Sequence, residues 1–290
     1  MARNRFHLLA LTVLLPWLGA CSMGQMVARS SASILDSGVD AMNREADTQL
    51  AASAIPANLK LVEGLIVEDP RNTRLLENAA QGFHGYAFGF VELEDPQRAL
   101  ELYARCFDYG ARALQVRGVD VDLAQASPDE IESAVSRLRK SAVPALFWTA
   151  SCQAKQIDLN REDPVLIARL AGSERLMNRA LELQPDYFYG SVYLFYGVYY
   201  GSRPPMFGGN FDLAEDYFSK ARAVTDGKLL MIDVLQAEYL ERQRLNRERF
   251  NKLLATVIDT PVGSFPEMAL VNQIARERAA MLLDYEEEWF

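Results

Sequence analysis

The sequence reads as an all-α protein of stacked helical hairpins, on three observations. From Ser33 onward apolar residues recur at helical spacing almost without pause, and no stretch alternates like a half-buried strand between turns. Residues of high helix propensity, Ala, Leu, Glu and Arg, dominate. Small and aromatic residues also repeat in one pattern: Ala99, Tyr103 and Cys106 stand at i, i+4, i+7, and Ala214, Phe218 and Ala221 do the same, while Met177, Ala180 and Pro185 match its end. These resemble the small–aromatic–small–Pro positions of the second helix of a tetratricopeptide repeat, whose period is about 34 residues, in degenerate form. The copies are spaced more widely than that period, and the segment 202–209 (SRPPMFGG) absorbs part of the excess. Small residues let paired helices approach, and each pair must stack on a neighbour to bury its remaining face. The expected architecture is a tetratricopeptide-like superhelical bundle.

Taken in order, residues 1–20 (MARNRFHLLALTVLLPWLGA) form a lipoprotein signal peptide: Arg3 and Arg5 precede an apolar run, and small residues follow. The signal ends Leu18-Gly19-Ala20-Cys21, which resembles a bacterial lipobox, where only the Cys21 thiol can take the acyl chain. Several acyl chains anchor stably where one is marginal, at about 0.8 kcal/mol per buried CH₂. By resemblance to Gram-negative lipoproteins, Ser22 rather than Asp after the cysteine implies the outer membrane, with the chain on its inner leaflet facing the periplasm. Residues 21–33 read as a polar tether, and 34–290 as a single helical domain. Helices are expected over 33–54, 57–67, 73–91, 96–115, 128–140, 144–157 and 164–183, then 187–200, 211–224, 228–243, 247–258 and 265–283. Pro96, Pro128, Pro144 and Pro164 open four of them, where a missing N–H costs nothing. Ser127 and Glu130 make a capping box. After the signal, the longest uncharged run, 187–202, is too short for the ~20 residues of a membrane span.

Composition excludes several functions. The 290 residues hold 30 Lys+Arg against 39 Asp+Glu, and loss of Arg3 and Arg5 with the signal leaves 28 against 39, net −11. So acidic a chain is a poor partner for phosphate backbones, so no nucleic acid is expected. Half the residues are apolar, enough for a sizeable core. Only His7 and His84 exist, and His7 leaves with the signal, so no histidine-rich zinc site can form. No HExxH, paired CxxC, GxxxxGK[ST] or GxSxG stands in the chain. An enzyme is not expected; no catalytic residue, metal or cofactor is assigned, and a carboxylate hydrolase would need two converging acids that the sequence does not display. His84 reads as a satisfied core histidine. Cys106 and Cys152 read as two buried free thiols, with a bridge as the alternative in a compartment that permits disulfides.

Two aromatic segments could hold a ligand. In 82–90 (GFHGYAFGF), Gly82, Gly85 and Gly89 share one helix face, for close helix packing or, if nothing fills it, a groove. In 187–200, Tyr189, Tyr193, Tyr196 and Tyr200 form one stripe and Phe188, Val192, Phe195 and Tyr199 the adjacent one. A helix apolar on most faces belongs at the centre of a bundle. Buried tyrosine hydroxyls need partners, so core packing and a lined, wet cavity both remain open. The tail 284–290 (DYEEEWF) is either docked or a partner contact.

These residues carry a resemblance to the T component, a tetratricopeptide-like lipoprotein, of TRAP (tripartite ATP-independent periplasmic) transporters. The matching stretches are 61–70 (LVEGLIVEDP), 82–90, 94–99 (EDPQRA), 181–190 (LELQPDYFYG), 203–209 (RPPMFGG), 214–221 (AEDYFSKA) and 269–283 (ALVNQIARERAAMLL). His84 departs from the small polar residue of the family pattern, and Asp226 stands where a repeat would carry proline. The resemblance implies a homotrimer with a pore through each subunit, which docks a periplasmic solute-binding P component and holds or passes a small organic, apolar ligand. Candidate pore residues are Tyr86, Phe90, Tyr193, Tyr196, Arg203 and Phe207. The alternative is a general tetratricopeptide scaffold for outer-membrane envelope assembly.

Overall fold

The computed structural model describes residues 23–290, and every regular element among them is helical. The segment expected to be a lipoprotein signal peptide, 1–20, and the expected lipidation site Cys21 lie outside the described residues. The helices are α1 (Met23–Asn43), α2 (Thr48–Glu68), α3 (Thr73–Phe90), α4 (Pro96–Val116), α5 (Pro128–Val135), α6 (Val143–Leu159) and α7 (Pro164–Ala168). They continue as α8 (Leu170–Leu183), α9 (Tyr187–Gly201), α10 (Phe211–Val224), α11 (Met231–Gln236), α12 (Arg247–Asp259), α13 (Ala269–Asp284) and α14 (Glu286–Trp289).

Side-chain caps start seven of these fourteen. Asp47, Asn72, Asp95, Asp163, Asn210 and Asn246 each accept a first-turn N–H. Ser127 and Glu130 close the capping box, the Ser127 N–H donating to the carboxylate at 2.8 Å. The differences lie at boundaries. From Met23 the expected tether is already helical, because Ala28 and Ala32 bury a small-residue face. Helix 33–54 is cut at 44–47 where Asp47 caps a new start, and Pro56 sits inside α2 rather than beginning a helix. The final segment of the expected helix 228–243 widens into a π-turn, Ala237–Glu241.

The hairpins α3–α4, α6–α8 and α9–α10 stack in sequence, and α4 packs on α6. The repeat positions Ala99, Tyr103, Cys106, Met177, Ala180, Ala214, Phe218 and Ala221 are all fully buried at those contacts. Cys106 and Cys152 form a disulfide across α4 and α6, so the expectation of free thiols is corrected. Facing small-residue positions had already brought the two helices close: a Cβ on Gly110 of α4 would lie 3.2 Å from the Thr149 Cα of α6.

Two hydrophobic cores result, one from α1–α9 and one from α9–α13, and Phe88, Phe188 and Tyr200 pack against both. The stack then curls until its ends meet. α13 touches α1 and α2, and the Thr48 hydroxyl donates to Glu277 at 2.9 Å. Among the described residues α2 is the one helix long and apolar enough to cross a membrane, yet its Glu63 is bound by Arg105 and by Tyr109 of α4. A closed ring of helices has an inside, and here it is not filled.

Candidate ligand cavity

The inside of the ring is a cavity of about 950 Å³, near the top of the roughly 300–1,000 Å³ usual for small-molecule sites. Its walls come from α1, α2, α3, α6, α9 and α13, with Leu235 of α11 and Tyr239 of the π-turn. Most of the lining is apolar.

α9 shows how sequence places the wall. Its chain enters through a left-handed turn, with φ of 47° at Phe188, 58° at Tyr189 and 83° at Gly190. For non-glycine residues that conformation costs about 1–2 kcal/mol each. The rings offset it: Phe188 lies edge-on to Trp148 at 5.1 Å, and Tyr189 edge-on to Phe265 at 5.4 Å. Phe188 is thereby turned into the cavity. Farther along, Ser191, Leu194, Phe195, Val198, Tyr199 and Ser202 face the hollow, the i, i+3, i+4 face of one helix.

Of the residues expected to line a pore, Tyr86, Phe90, Arg203 and Phe207 line this cavity. Tyr193 and Tyr196 do not. Their stripe meets Tyr217 of α10, with Tyr196 stacked on it at 5.0 Å and Tyr200 at 6.0 Å. Tyr196 is 2% exposed and its hydroxyl reaches Glu174 at 3.4 Å; burial first, then that carboxylate, raises its pKa. α10 therefore claims the tyrosine stripe and leaves the phenylalanine stripe inward. The glycine face of α3 divides: Gly82 meets Leu59 and Gly89 meets Ile274, while Gly85 opens onto the cavity with nothing within 4 Å of a Cβ.

One side of the cavity is charged, which the sequence pattern did not reveal. Glu92 accepts from Tyr103 at 2.6 Å and Arg278 at 2.7 Å and pairs with Lys155 at 3.0 Å. Arg278 also forks onto Glu238, with both contacts at 2.9 Å. Lys155 reaches Asp158 at 3.0 Å, and Asp158 also accepts from Arg161 and Tyr239. Three acids and three bases balance. Burial alone would raise the Glu92 and Asp158 pKa values and lower that of Lys155, but the mutual fields win and hold all three charged. Among these, Lys155, Asp158, Arg161 and Tyr239 reach the cavity surface. The π-turn is what points Glu238 and Tyr239 at this cluster, a use to which such turns are often put.

His84 stands between the charged and apolar sides. Its imidazole packs on Trp148 (5.2 Å), Tyr103 (5.6 Å) and Phe88 (6.1 Å) and lines the cavity. Burial, and then the Lys155 charge, lower its pKa to about 4, so it is neutral at pH 7. Rings pack around it, and it stands in the cavity lining as well as against the core.

The described residues contain no group of three or more His, Cys, Asp or Glu placed to hold a metal ion. Cations already neutralise the cavity's carboxylate, so the arrangement is suited to enclosing an organic molecule.

Comparison with known proteins agrees with the sequence. A family model for the TRAP transporter T-component matches residues 44–290. An uncharacterised protein of Treponema pallidum (strain Nichols) is 22% identical over 262 residues, covering 85% of this chain and 81% of the relative.

Proposed function

The chain belongs to the TRAP transporter T-component family, and from that premise we propose that it is a periplasm-facing lipoprotein that docks a solute-binding P component and holds or passes a small organic ligand through its central cavity. The carrying observation is the apolar hollow of about 950 Å³ at the centre of the closed helical ring. A filled centre would have favoured the alternative, a general scaffold acting through its outer surface. In this reading Cys21 carries the acyl anchor, the chain sits on the inner leaflet of the outer membrane, and three copies assemble. No step of chemistry is assigned to it: the protein shelters a molecule and hands it on.

Affinity capture of the full-length protein from envelope extracts is expected to recover a periplasmic solute-binding protein. Recovery of envelope-assembly factors alone would overturn the reading. Cys21→Ser is expected to shift the protein out of the membrane fraction, and unchanged fractionation would remove the anchor. Sedimentation of the detergent-solubilised chain checks the trimer.

A further inference from the structure

The expected anchor leads almost directly into a helix. Cys21 stands two residues before Met23, and two residues span at most about 7 Å. The sequence reads as a tether over 21–33, yet α1 is already helical at Met23. An acylated Cys21 would therefore hold the first turn of α1 at the membrane surface, with no long linker between.

The chemistry of that turn suits the place. Met23 is 83% exposed, Met26 66% and Val27 52%. They stand at i, i+3 and i+4, on one side of the helix, while Ala28 and Ala32 are buried in the core. Val67, 78% exposed, adds a fourth from the end of α2. The two helix ends are in contact: a Cβ on Gly24 would overlap the Glu68 carboxylate, and Arg29 pairs with Asp69 at 3.1 Å. Charge is sparse and matched here. Arg29 is the one charged residue between Met23 and Leu35, and Lys60 and Glu63, the charges between Thr48 and Val67, pair with each other at 2.7 Å. Glu68 and Arg71, one of each sign, flank the apolar tip.

We propose, on the reading of Cys21 as the acyl anchor, that this end of the α1–α2 hairpin is a second membrane contact. Met23, Met26, Val27 and Val67 enter the headgroup boundary beside the acyl chains and fix how the protein stands on the bilayer. Acyl chains alone hold a protein near a membrane and leave it free to turn; an apolar patch buried next to them removes that freedom. A lipid surface suits the patch better than a protein does. The bilayer is within reach of Met23 by chain length, and a protein partner would have to fit between the chain and its own anchor. The patch also carries no Trp or Tyr, on which protein interfaces most often rest.

The test uses the full chain, expressed with its signal segment, purified in detergent and returned to phosphatidylethanolamine–phosphatidylglycerol vesicles. Cys106 and Cys152 are joined and buried, so one added cysteine takes an environment-sensitive fluorophore. The sites are Met26→Cys, Val67→Cys and, as a control on another surface, Met206→Cys after α9, which is 82% exposed. All three side chains are exposed, so the replacements spare the fold. Nitroxide-bearing lipid is expected to quench the labels at 26 and 67 several-fold more than the label at 206. Adding Met26→Asp to the chain labelled at 67 should lower that quenching several-fold while the protein stays bound to vesicles. Equal quenching at all three sites, or quenching at 67 that survives Met26→Asp, would overturn the proposal and leave the anchor standing. Labels at 26 and 67 that are shielded from water yet unquenched would mean that protein, a second copy included, covers the patch, and would overturn it too. Mass spectrometry of the same preparation isolates the premise: a chain with no acyl group on Cys21 would overturn the anchor and the proposal together.

Discussion

Two sides of the same cavity are built on opposite principles. Around Glu92, every charge is matched: Glu92, Asp158 and Glu238 balance Arg278, Lys155 and Arg161, and all but Arg161 are largely buried. Around Phe195, Tyr199 and Gly85 the wall is apolar, and part of it faces open space. The charged side joins α3, α6, the π-turn and α13, and so ties together the two hydrophobic cores. The aromatic side belongs largely to α3 and α9 and meets both cores by ring packing alone, through Phe88 and Phe188. The difference is one of tolerance. A matched ion cluster permits no change without a large loss, whereas a slack apolar wall accepts change in stability terms and registers it only in what it binds.

The largest expected effect is at the charged side. Arg278→Met takes away the base shared by Glu92 and Glu238, of which Glu92 is 3% exposed. Leaving buried carboxylates without their partner costs about 3–5 kcal/mol. Urea unfolding of the variant at pH 7 should show a loss of that size, and a loss below about 1 kcal/mol would mean that the cluster is no clasp.

Next comes His84, which touches both sides. Its pKa falls from an ordinary 6.5 to about 4 on folding, so between those values the unfolded chain holds a proton that the folded chain does not. Stability linked to His84 is therefore complete above pH 6.5 and is lost as pH falls toward 4, by about 3 kcal/mol in full. Glu77 works in the other direction: burial raises its pKa to about 7, so it disfavours the fold as pH rises from 4.5 to 7. The two are separated by His84→Phe, whose stability difference from the wild type should grow in favour of the variant between pH 6.5 and 5. Parallel pH profiles for the two proteins would remove the histidine from the account.

Much of this was legible in the sequence. Helical class, the buried small–aromatic positions and most helix starts follow from period, proline and cap residues, which act locally. The inward face of α9 was not legible, because both candidate stripes are aromatic, and only the neighbour, with Tyr217 of α10, decides which one is enclosed. The Cys106–Cys152 bridge needed the distance between α4 and α6, to which only the small residues at Gly110 and Thr149 gave a hint. The ion cluster was hidden for a similar reason: Glu92 and Arg278 are 186 residues apart, and each alone looks like a surface charge. A signal did exist in the position of Arg278, which falls on the small and apolar face of α13, three residues after Ala275 and four before Leu282.

Smaller effects sharpen the comparison through two glycines in tight and open settings. At Gly110, packed where α4 crosses α6 beside the disulfide, an added Cβ would lie 2.2 Å from the Thr149 hydroxyl and 3.2 Å from its Cα. Gly110→Ala should therefore destabilise by about 1–3 kcal/mol, the usual cost of overpacking, despite the better helix former. Thermal unfolding would show it, and an unchanged midpoint would mean that this contact is looser than it looks.

Gly85 is the opposite case and has the smallest expected effect on stability. It lies mid-helix in α3, and a Cβ there has nothing within 4 Å, because that face opens onto the cavity. Replacing glycine in a helix interior by a good helix former gains up to about 1 kcal/mol. Gly85→Leu should thus leave stability unchanged or slightly raised while its side chain takes up room in the hollow. Binding of a neutral apolar fluorophore such as parinaric methyl ester, followed by energy transfer from Trp148 in the cavity wall, should fall. Stability and binding moving in opposite directions is what a hollow kept for a guest requires: its openness serves occupancy and contributes nothing to the fold. If Gly85→Leu instead lowered stability and left ester binding intact, the space beside α3 would be a packing feature, and the guest would have to lie elsewhere.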